Sequence, residues 1–68
     1  MPLSARNHLK GRVTEVLLGT VTALITVKVG SNLVESVITK RSAEEMGIKK
    51  GDTVVAVIKA TEVMIQKD

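Results

Sequence analysis

The sequence predicts a mostly β protein, a small barrel with one short helix. Three observations support this fold class: β-branched residues are abundant (11 Val, 5 Ile and 7 Thr among 68 residues), one nine-residue segment has period-two alternation, and a single helix-capping pattern interrupts the strands. β-branched side chains are stiff at χ1 and fit a pleated, half-buried surface. A chain of this length forms one domain, here residues 1–68.

The clearest strand runs from Val21 to Val29. Its odd-numbered residues are Val, Ala, Ile, Val and Val and fall on one face, which is typical of a strand with one face in the core. Gly30-Ser31-Asn32 supplies turn residues before the next apolar run, so these two strands predict a hairpin. The other predicted strands are Arg12–Leu18, Leu33–Thr39, Thr53–Lys59 and a short one at Glu62–Gln66, with a weak extended pattern over Leu3–Leu9.

The predicted helix lies between the third and fourth of these strands. Ser42 and Glu45 have the spacing of a capping box, which predicts Ser42 as the N-cap of a helix of one to two turns. Gly47 is the residue type favoured just past a helix C-terminus, and Lys49–Asp52 form the turn into the next strand. Five short strands with one helix in this position indicate a five-stranded barrel of the OB type.

The composition predicts an oligomer. The chain has no Cys and one His, which excludes disulfides and zinc-finger ligand sets. It has no Phe, Tyr or Trp, so its core lacks the large area that aromatic side chains bury. Yet 44% of the residues are hydrophobic, which is too many for a disordered segment. Oligomerisation is the remaining way to stabilise so short a chain.

The sequence gives little support to an enzyme, a membrane protein or a typical single-strand binder. His8 has no nucleophile or acid in a short-range motif, and no phosphate-binding glycine pattern is present. No apolar run approaches the roughly 18 residues of a membrane span, and no signal peptide is apparent, so a cytoplasmic location is expected. Single-strand binders stack bases on aromatic residues. The net charge of +3 is compatible with either a nucleic-acid backbone or a small anion as the binding partner.

A small oxyanion fits the polar residues best. A buried dianion needs fixed cations and several hydrogen-bond donors. On an extended strand, Ser4 and Arg6 project from the same face and offer a hydroxyl beside a guanidinium. A helix that begins at Ser42 adds free amides, and Thr39 adds a second hydroxyl close by. Lys59 brings a cation to the end of the fourth predicted strand.

Three segments of the chain resemble the molbindins, or Mop proteins, which are small bacterial molybdate-binding proteins with a domain of the TOBE type. The first is Ser4-Ala5-Arg6-Asn7 followed by Leu9-Lys10-Gly11. The second is Val37-Ile38-Thr39, with Ser42 and Glu45-Met46-Gly47-Ile48. The third is the stretch from Val57 to Ile65, which contains Lys59-Ala60-Thr61. The resemblance extends from about Leu3 to Ile65 without insertions.

This resemblance implies an OB-like barrel that assembles as a strand-exchanged homohexamer, a trimer of dimers, with molybdate or tungstate bound between subunits. It implies that one chain supplies Ser4, Arg6, Lys59 and the Ala60 backbone, and that a neighbouring chain supplies Thr39 and Ser42. The ligand is then the oxyanion alone, with no organic cofactor, no metal held directly by side chains, and no nucleic-acid or membrane partner. The expected role is intracellular molybdenum storage or buffering. A nucleic-acid-associated barrel and a structural oligomerisation module are the alternatives.

Overall fold

The computed structural model describes residues 4–68 and contains one antiparallel sheet. Its strands are β1 (Asn7–Leu18), β2 (Thr22–Val29), β3 (Asn32–Thr39) and β4 (Thr53–Ile58). A helix α1 (Lys40–Met46) lies between β3 and β4, and a 3-10 helix (Ala60–Glu62) follows β4. The strand order is β3-β2-β1-β4, so β3 and β4 form the two edges. The prediction of a mostly β chain with one short α-helix is confirmed.

The turns lie where the sequence predicts them. Gly30 adopts φ +62° in the β2–β3 hairpin, and Gly51 adopts φ +96° before β4. The Lys49–Asp52 turn is closed by two hydrogen bonds: the Lys49 amide donates to Asp52 Oδ2 at 3.0 Å, and the Asp52 amide donates to the Lys49 carbonyl at 3.1 Å. These turns set the register of the flanking strands.

β1 is longer than predicted. The predicted strand Arg12–Leu18 and the last three residues of the weakly predicted segment Leu3–Leu9 form one strand from Asn7, whereas Ser4, Ala5 and Arg6 precede it and Leu3 lies outside the described residues. Gly11 allows β1 to continue through this point because glycine has no Cβ. A Cβ at this position would lie 2.5 Å from the Lys28 carbonyl oxygen and would clash with it. A register irregularity between Val13 and Glu15 then lets the strand bend.

The core is small and lies between the inner face of the sheet and α1. The buried hydrophobic residues of the described chain are Val13, Ala23, Ile25, Val27 and Ala43. Three of them, Ala23, Ile25 and Val27, lie on the β2 face that the alternation predicts for the core; Val29 on that face is half-buried, whereas Val21 precedes β2 and is 70% exposed. Many larger apolar side chains are exposed in the single chain, among them Leu17, Leu18, Val21, Leu33, Val37, Met46, Val55, Met64 and Ile65. So little burial leaves the single chain short of apolar stabilisation.

The predicted N-cap of the helix is wrong. α1 begins at Lys40 and its N-cap is Thr39, whose hydroxyl accepts a hydrogen bond from the Ser42 amide. Ser42 is thus the third residue of the helix. The helix begins about one turn earlier than predicted. Its first residue is Lys40, whose amide donates a hydrogen bond to the Val21 carbonyl at 2.7 Å, and this bond fixes the start of the helix. The predicted end is confirmed, since Gly47 is the C-cap in the left-handed conformation, with φ +61°.

The predicted fifth strand, Glu62–Gln66, is not a strand in the single chain. Glu62 ends the 3-10 helix, and residues 63–68 have no regular secondary structure. A strand requires a partner for its backbone groups, and residues 63–68 take part in none of the strand pairings between β1, β2, β3 and β4. Met64 and Ile65 are 91% and 89% exposed as a result. The described chain therefore has four strands rather than five.

Candidate functional site

The pairing of β1 with β4 brings the first group of candidate residues to one end of the sheet. This pairing runs from Asn7 opposite Ile58 to Arg12 opposite Thr53. The Asn7 side-chain amide also donates to the Ile58 carbonyl at 3.2 Å. Residues just before Asn7 and just after Ile58 therefore lie at the same end. We call this group the first half-site: Ser4, Arg6, Lys59 and Ala60.

The 3-10 helix contributes backbone donors to the first half-site. Its first internal hydrogen bond runs from the Glu62 amide to the Lys59 carbonyl at 2.9 Å. The amides of Ala60 and Thr61 precede that bond and have no acceptor within the turn. Lys59 is the N-cap residue and makes no side-chain capping bond. Two amides and two cations thus lie at the same end of the sheet, although the Glu62 carboxylate lies on the same turn.

Thr39 and Ser42 form the second half-site, where β3 leads into α1. The Thr39 hydroxyl accepts from the Ser42 amide at 3.0 Å and donates to Ser42 Oγ at 2.8 Å. This arrangement uses the hydrogen of the Thr39 hydroxyl and leaves the hydrogen of the Ser42 hydroxyl to donate elsewhere. The pair can therefore present one oriented hydroxyl donor to a ligand.

The start of α1 offers fewer amides than the sequence predicts. The Lys40 amide donates to the Val21 carbonyl, and the Ser42 amide donates to Thr39 Oγ1. Of the first three helix amides, only that of Arg41 is without such a bond in the described chain. The expected cluster of free amides at a helix beginning at Ser42 is therefore not found.

The two half-sites lie at opposite ends of β1. The first half-site adjoins Asn7, the first residue of the strand. At the other end Leu18 pairs with Ala23, and the next β2 residue, Thr22, pairs with Thr39. β1 has 12 residues, a contour of roughly 36 Å at the usual rise of a strand. The topology of one chain therefore separates the predicted donors into two groups.

The cations of the first half-site are not neutralised by ion pairs within residues 4–68. The two ion pairs of that region are Arg41–Glu45 at 3.1 Å and Lys49–Asp52 at 3.9 Å, and both lie elsewhere. Ser4, Arg6, Lys59 and Ala60 are all exposed. Arg6 and Lys59 are therefore accessible to an anion in the single chain.

The structural role of Asn7 was not predicted from the sequence. This residue joins the two segments that form the first half-site. The amide side chain that closes onto the Ile58 carbonyl could have been suspected only with the β1–β4 register in hand. His8 also makes a side-chain contact with the backbone that was not predicted: its Nε2 lies 3.2 Å from the Ala5 carbonyl oxygen. Both contacts help to define the path of the backbone around Arg6.

Residues 4–68 contain no cluster of three or more His, Asp or Glu side chains arranged to hold a metal ion. In the same residues, no helix has the length and apolar character needed to cross a membrane.

Comparisons with known proteins extend over almost the whole chain. It is 46% identical over 66 residues to molybdenum-pterin-binding protein 1 of Clostridium pasteurianum, covering 96% of this chain and 97% of that one. A structure of a molybdate-binding protein from Sporomusa ovata is 36% identical, with a TM-score of 0.94, and covers 98% of this chain and all of that one. A molybdate-bound structure of the cytoplasmic molybdate-binding protein ModG is 39% identical, with a TM-score of 0.83, over 88% of this chain and 43% of ModG.

These similarities confirm the resemblance to the molbindins that the sequence motifs predict. The TOBE domain model matches residues 3–65, which include both half-sites and all four strands. The chain therefore belongs to the TOBE domain family.

Proposed function

We propose that this protein binds molybdate, and also tungstate, in sites formed between two copies of the chain. The anion is captured and released without any chemical change. The role is intracellular storage or buffering of molybdenum. Support for molybdate as the ligand comes from relatives described as molybdate-binding that align with almost the full length of the chain.

Each proposed site combines the first half-site of one chain with the second half-site of its neighbour. Arg6 and Lys59 neutralise the dianion, while the Ser4 hydroxyl and the Ala60 amide donate to its oxygens. Ser42 of the neighbouring chain adds a hydroxyl oriented by Thr39. Hydrogen bonds to a charged partner contribute about 1.5–3 kcal/mol each. A few such bonds reach the roughly 8 kcal/mol of a micromolar complex after ordering costs are met.

The observation that carries the proposal is the separation of the donors along β1. The cations and amides adjoin Asn7, whereas the hydroxyl pair adjoins Thr22 at the far end. One half-site alone gives a dianion too few partners to offset its desolvation. Joining the half-sites of two chains supplies cations, amides and hydroxyls together.

Strand exchange is the proposed means of bringing two chains together. An apolar groove of about 720 Å³ lies between the edge strands β3 and β4. Val63, Met64 and Ile65 follow β4 as an exposed apolar segment with no strand partner among residues 4–68. We propose that this segment of one copy pairs as a fifth strand at an edge of the other copy and fills the groove. The groove residues are Ile25, Val27, Val34, Ser36, Ile38, Met46, Ile48, Val54, Ala56 and Ile58, among others.

The proposed assembly is a cytoplasmic homohexamer built as a trimer of dimers. Its support is the small core of the single chain and the number of large apolar side chains that this chain leaves exposed. The description of the relative ModG as cytoplasmic supports the location. Six copies at +3 each carry a large positive charge, which bound dianions would reduce.

The proposal is tested by calorimetric titration of molybdate into the wild type, Arg6→Ala and the control Lys50→Ala. Lys50 is exposed and belongs to neither half-site, and its substitution removes one positive charge, as Arg6→Ala does. We expect Arg6→Ala to weaken binding at least about 30-fold, because a charged hydrogen-bond partner is lost, and Lys50→Ala to bind almost as the wild type. Equal affinities of all three proteins would remove Arg6 from the site.

Native mass spectrometry with and without molybdate reports the assembly and the bound anion together. We expect hexamers that gain mass corresponding to bound molybdate. A folded monomer, or a hexamer that takes up no molybdate, would contradict the proposal. Binding of duplex DNA that weakens steeply with salt would instead support the nucleic-acid alternative.

A further inference from the structure

Alternate residues of β1 place a row of basic side chains on its outer face. His8, Lys10 and Arg12 are exposed, whereas Val13 begins the buried inner side. The alternation continues before the strand, since Ala5 and Asn7 are half-buried and Arg6 is exposed. We call Arg6, His8, Lys10 and Arg12 the basic line. It ends at a residue of the first half-site.

The neighbouring strand adds a further cation to the basic line. Arg12 pairs directly with Lys28 of β2, and both side chains are exposed. Like charges directly opposite each other in a sheet destabilise it. No ion pair within residues 4–68 includes Arg12, Lys28 or Lys10. The positive charge here is therefore available to anions in solution.

The carboxylates of this face lie beyond one end of the basic line. Thr26 of β2 pairs with Glu15 on one side and with Glu35 on the other, and it lies two residues along β2 from Lys28, beyond the Val13–Val27 pair. At the opposite end the line leads to Arg6 and Lys59. The face therefore changes from acidic, near Glu15, to predominantly basic toward the first half-site, where Arg6 and Lys59 outnumber the Glu62 carboxylate. Such a gradient draws an anion in one direction.

We propose that the basic line captures divalent oxyanions from solution and guides them to the first half-site. This inference rests on the proposed function, since the half-site is the destination. Alternate residues of a strand lie about 6.8 Å apart, which is shorter than the roughly 8 Å Debye length at physiological ionic strength. The fields of neighbouring cations therefore overlap along the line. Lys10 and Arg12 act on the rate of association and do not touch the bound anion.

The first test compares Lys10→Gln/Arg12→Gln with the control Lys50→Gln/Lys67→Gln, which removes the same charge elsewhere. Radiolabelled molybdate and rapid filtration give the dissociation rate, and calorimetry gives the affinity, from which the association rate follows. We expect the first variant to bind roughly 3- to 10-fold more slowly at low salt, with its dissociation rate changed less than about 2-fold. The difference should vanish in about 0.5 M salt, where charges are screened. Equal association rates for the two variants, or a change confined to dissociation, would overturn the inference.

The second test does not depend on molybdate binding. Paramagnetic co-solutes that differ only in charge, one anionic and one neutral, report the local enrichment of anions at each backbone amide by NMR relaxation. We expect the anionic probe to be enriched at residues 8–12 and 28 relative to residues 15 and 35, and the enrichment to fall in Lys10→Gln/Arg12→Gln. Absence of this enrichment would overturn the inference even if the wild type binds molybdate. If the enrichment is present and the wild type binds no molybdate, the proposed function fails and guidance to the half-site fails with it.

Discussion

Thr39 serves two purposes at the residue scale. Its hydroxyl caps α1 by accepting from the Ser42 amide, and it orients the Ser42 hydroxyl by donating to Ser42 Oγ. One side chain therefore links the stability of the helix to the geometry of the proposed second half-site. Removing this hydroxyl should affect both properties at once.

We expect Thr39→Ala to lower the free energy of unfolding by about 1 kcal/mol, the usual cost of losing an N-cap. We also expect it to weaken molybdate binding, since the Ser42 hydroxyl loses its fixed orientation. Thr39→Ser keeps the hydroxyl and should retain both properties. Urea unfolding and calorimetric titration of the two variants provide the check. A Thr39→Ala protein with unchanged binding would show that Ser42 needs no such support.

The identity of the N-cap could not be predicted at the residue scale. Thr39 and Ser42 are both good capping residues, and Glu45 favours Ser42 through the capping-box pattern. The choice is decided by the Lys40 amide, which bonds to the Val21 carbonyl in the turn before β2. That contact joins residues 19 positions apart, so no local pattern reports it.

β1 is the organising element, because it pairs with both β2 and β4 and separates the two half-sites. Its continuity depends on the absence of a side chain at Gly11. A Cβ there would lie 2.5 Å from a backbone oxygen of Lys28 and within 3 Å of the side chains of Val27 and Val29. The backbone oxygen cannot move away without disturbing the pairing of β1 with β2.

We expect Gly11→Ala to lower the free energy of unfolding by about 1–3 kcal/mol through overpacking. Gly19→Ala is the comparison, since its nearest neighbour would be the Thr22 carbonyl oxygen at 3.1 Å; its effect should be smaller. Urea denaturation midpoints measure both. A Gly11→Ala protein as stable as the wild type would mean that β1 and β2 can separate locally at little cost.

The C-terminal segment provides the test of strand exchange at the element scale. Truncation after Glu62 removes Val63, Met64 and Ile65, whereas truncation after Gln66 removes only two charged residues. We expect the first truncation to abolish the hexamer and the second to leave it intact. Analytical ultracentrifugation measures the outcome. A hexamer that survives the first truncation would contradict the proposed exchange.

The elements that local patterns specify were predictable from the sequence. The β2–β3 hairpin follows from alternation and from Gly30, and the end of α1 follows from Gly47. The segment Glu62–Gln66 has the apolar pattern of a strand but makes no ladder in the single chain. An apolar pattern indicates that a segment can form a strand. Whether the strand forms depends on a neighbouring strand that pairs with its backbone groups.

At the scale of the whole molecule, anion binding and assembly should be linked. A ligand held between chains binds only the assembled, folded state, and so it stabilises that state by mass action. We expect molybdate at about 100 times its dissociation constant to raise the free energy of unfolding by about 2.7 kcal/mol, seen calorimetrically as a higher Tm. Sulfate at the same concentration is the control, because it has the same charge and a smaller size. An equal rise with sulfate would indicate general charge screening.

The residue types of the candidate site follow from their chemistry, whereas their division between two chains was predicted only by the resemblance to the molbindins. Ser4, Arg6, Lys59, Thr39 and Ser42 are recognisable from chemistry and from the family motifs. Their division into two groups depends on the order of the strands and on the 12-residue length of β1. These are properties of the whole sheet, and they are what makes a second chain necessary in the proposed site.

The most direct test of a site shared between chains is complementation between two defective variants, Arg6→Ala and Ser42→Asp. Each alone should bind molybdate far more weakly than the wild type, since one lacks the guanidinium and the other adds a carboxylate beside the anion. If each site draws on two chains, a co-refolded equimolar mixture should recover about one quarter of the wild-type sites, because random pairing joins an intact Arg6 with an intact Ser42 at that frequency. Calorimetry counts the sites. A mixture that binds no molybdate would contradict a shared site and place all of its donors in one chain.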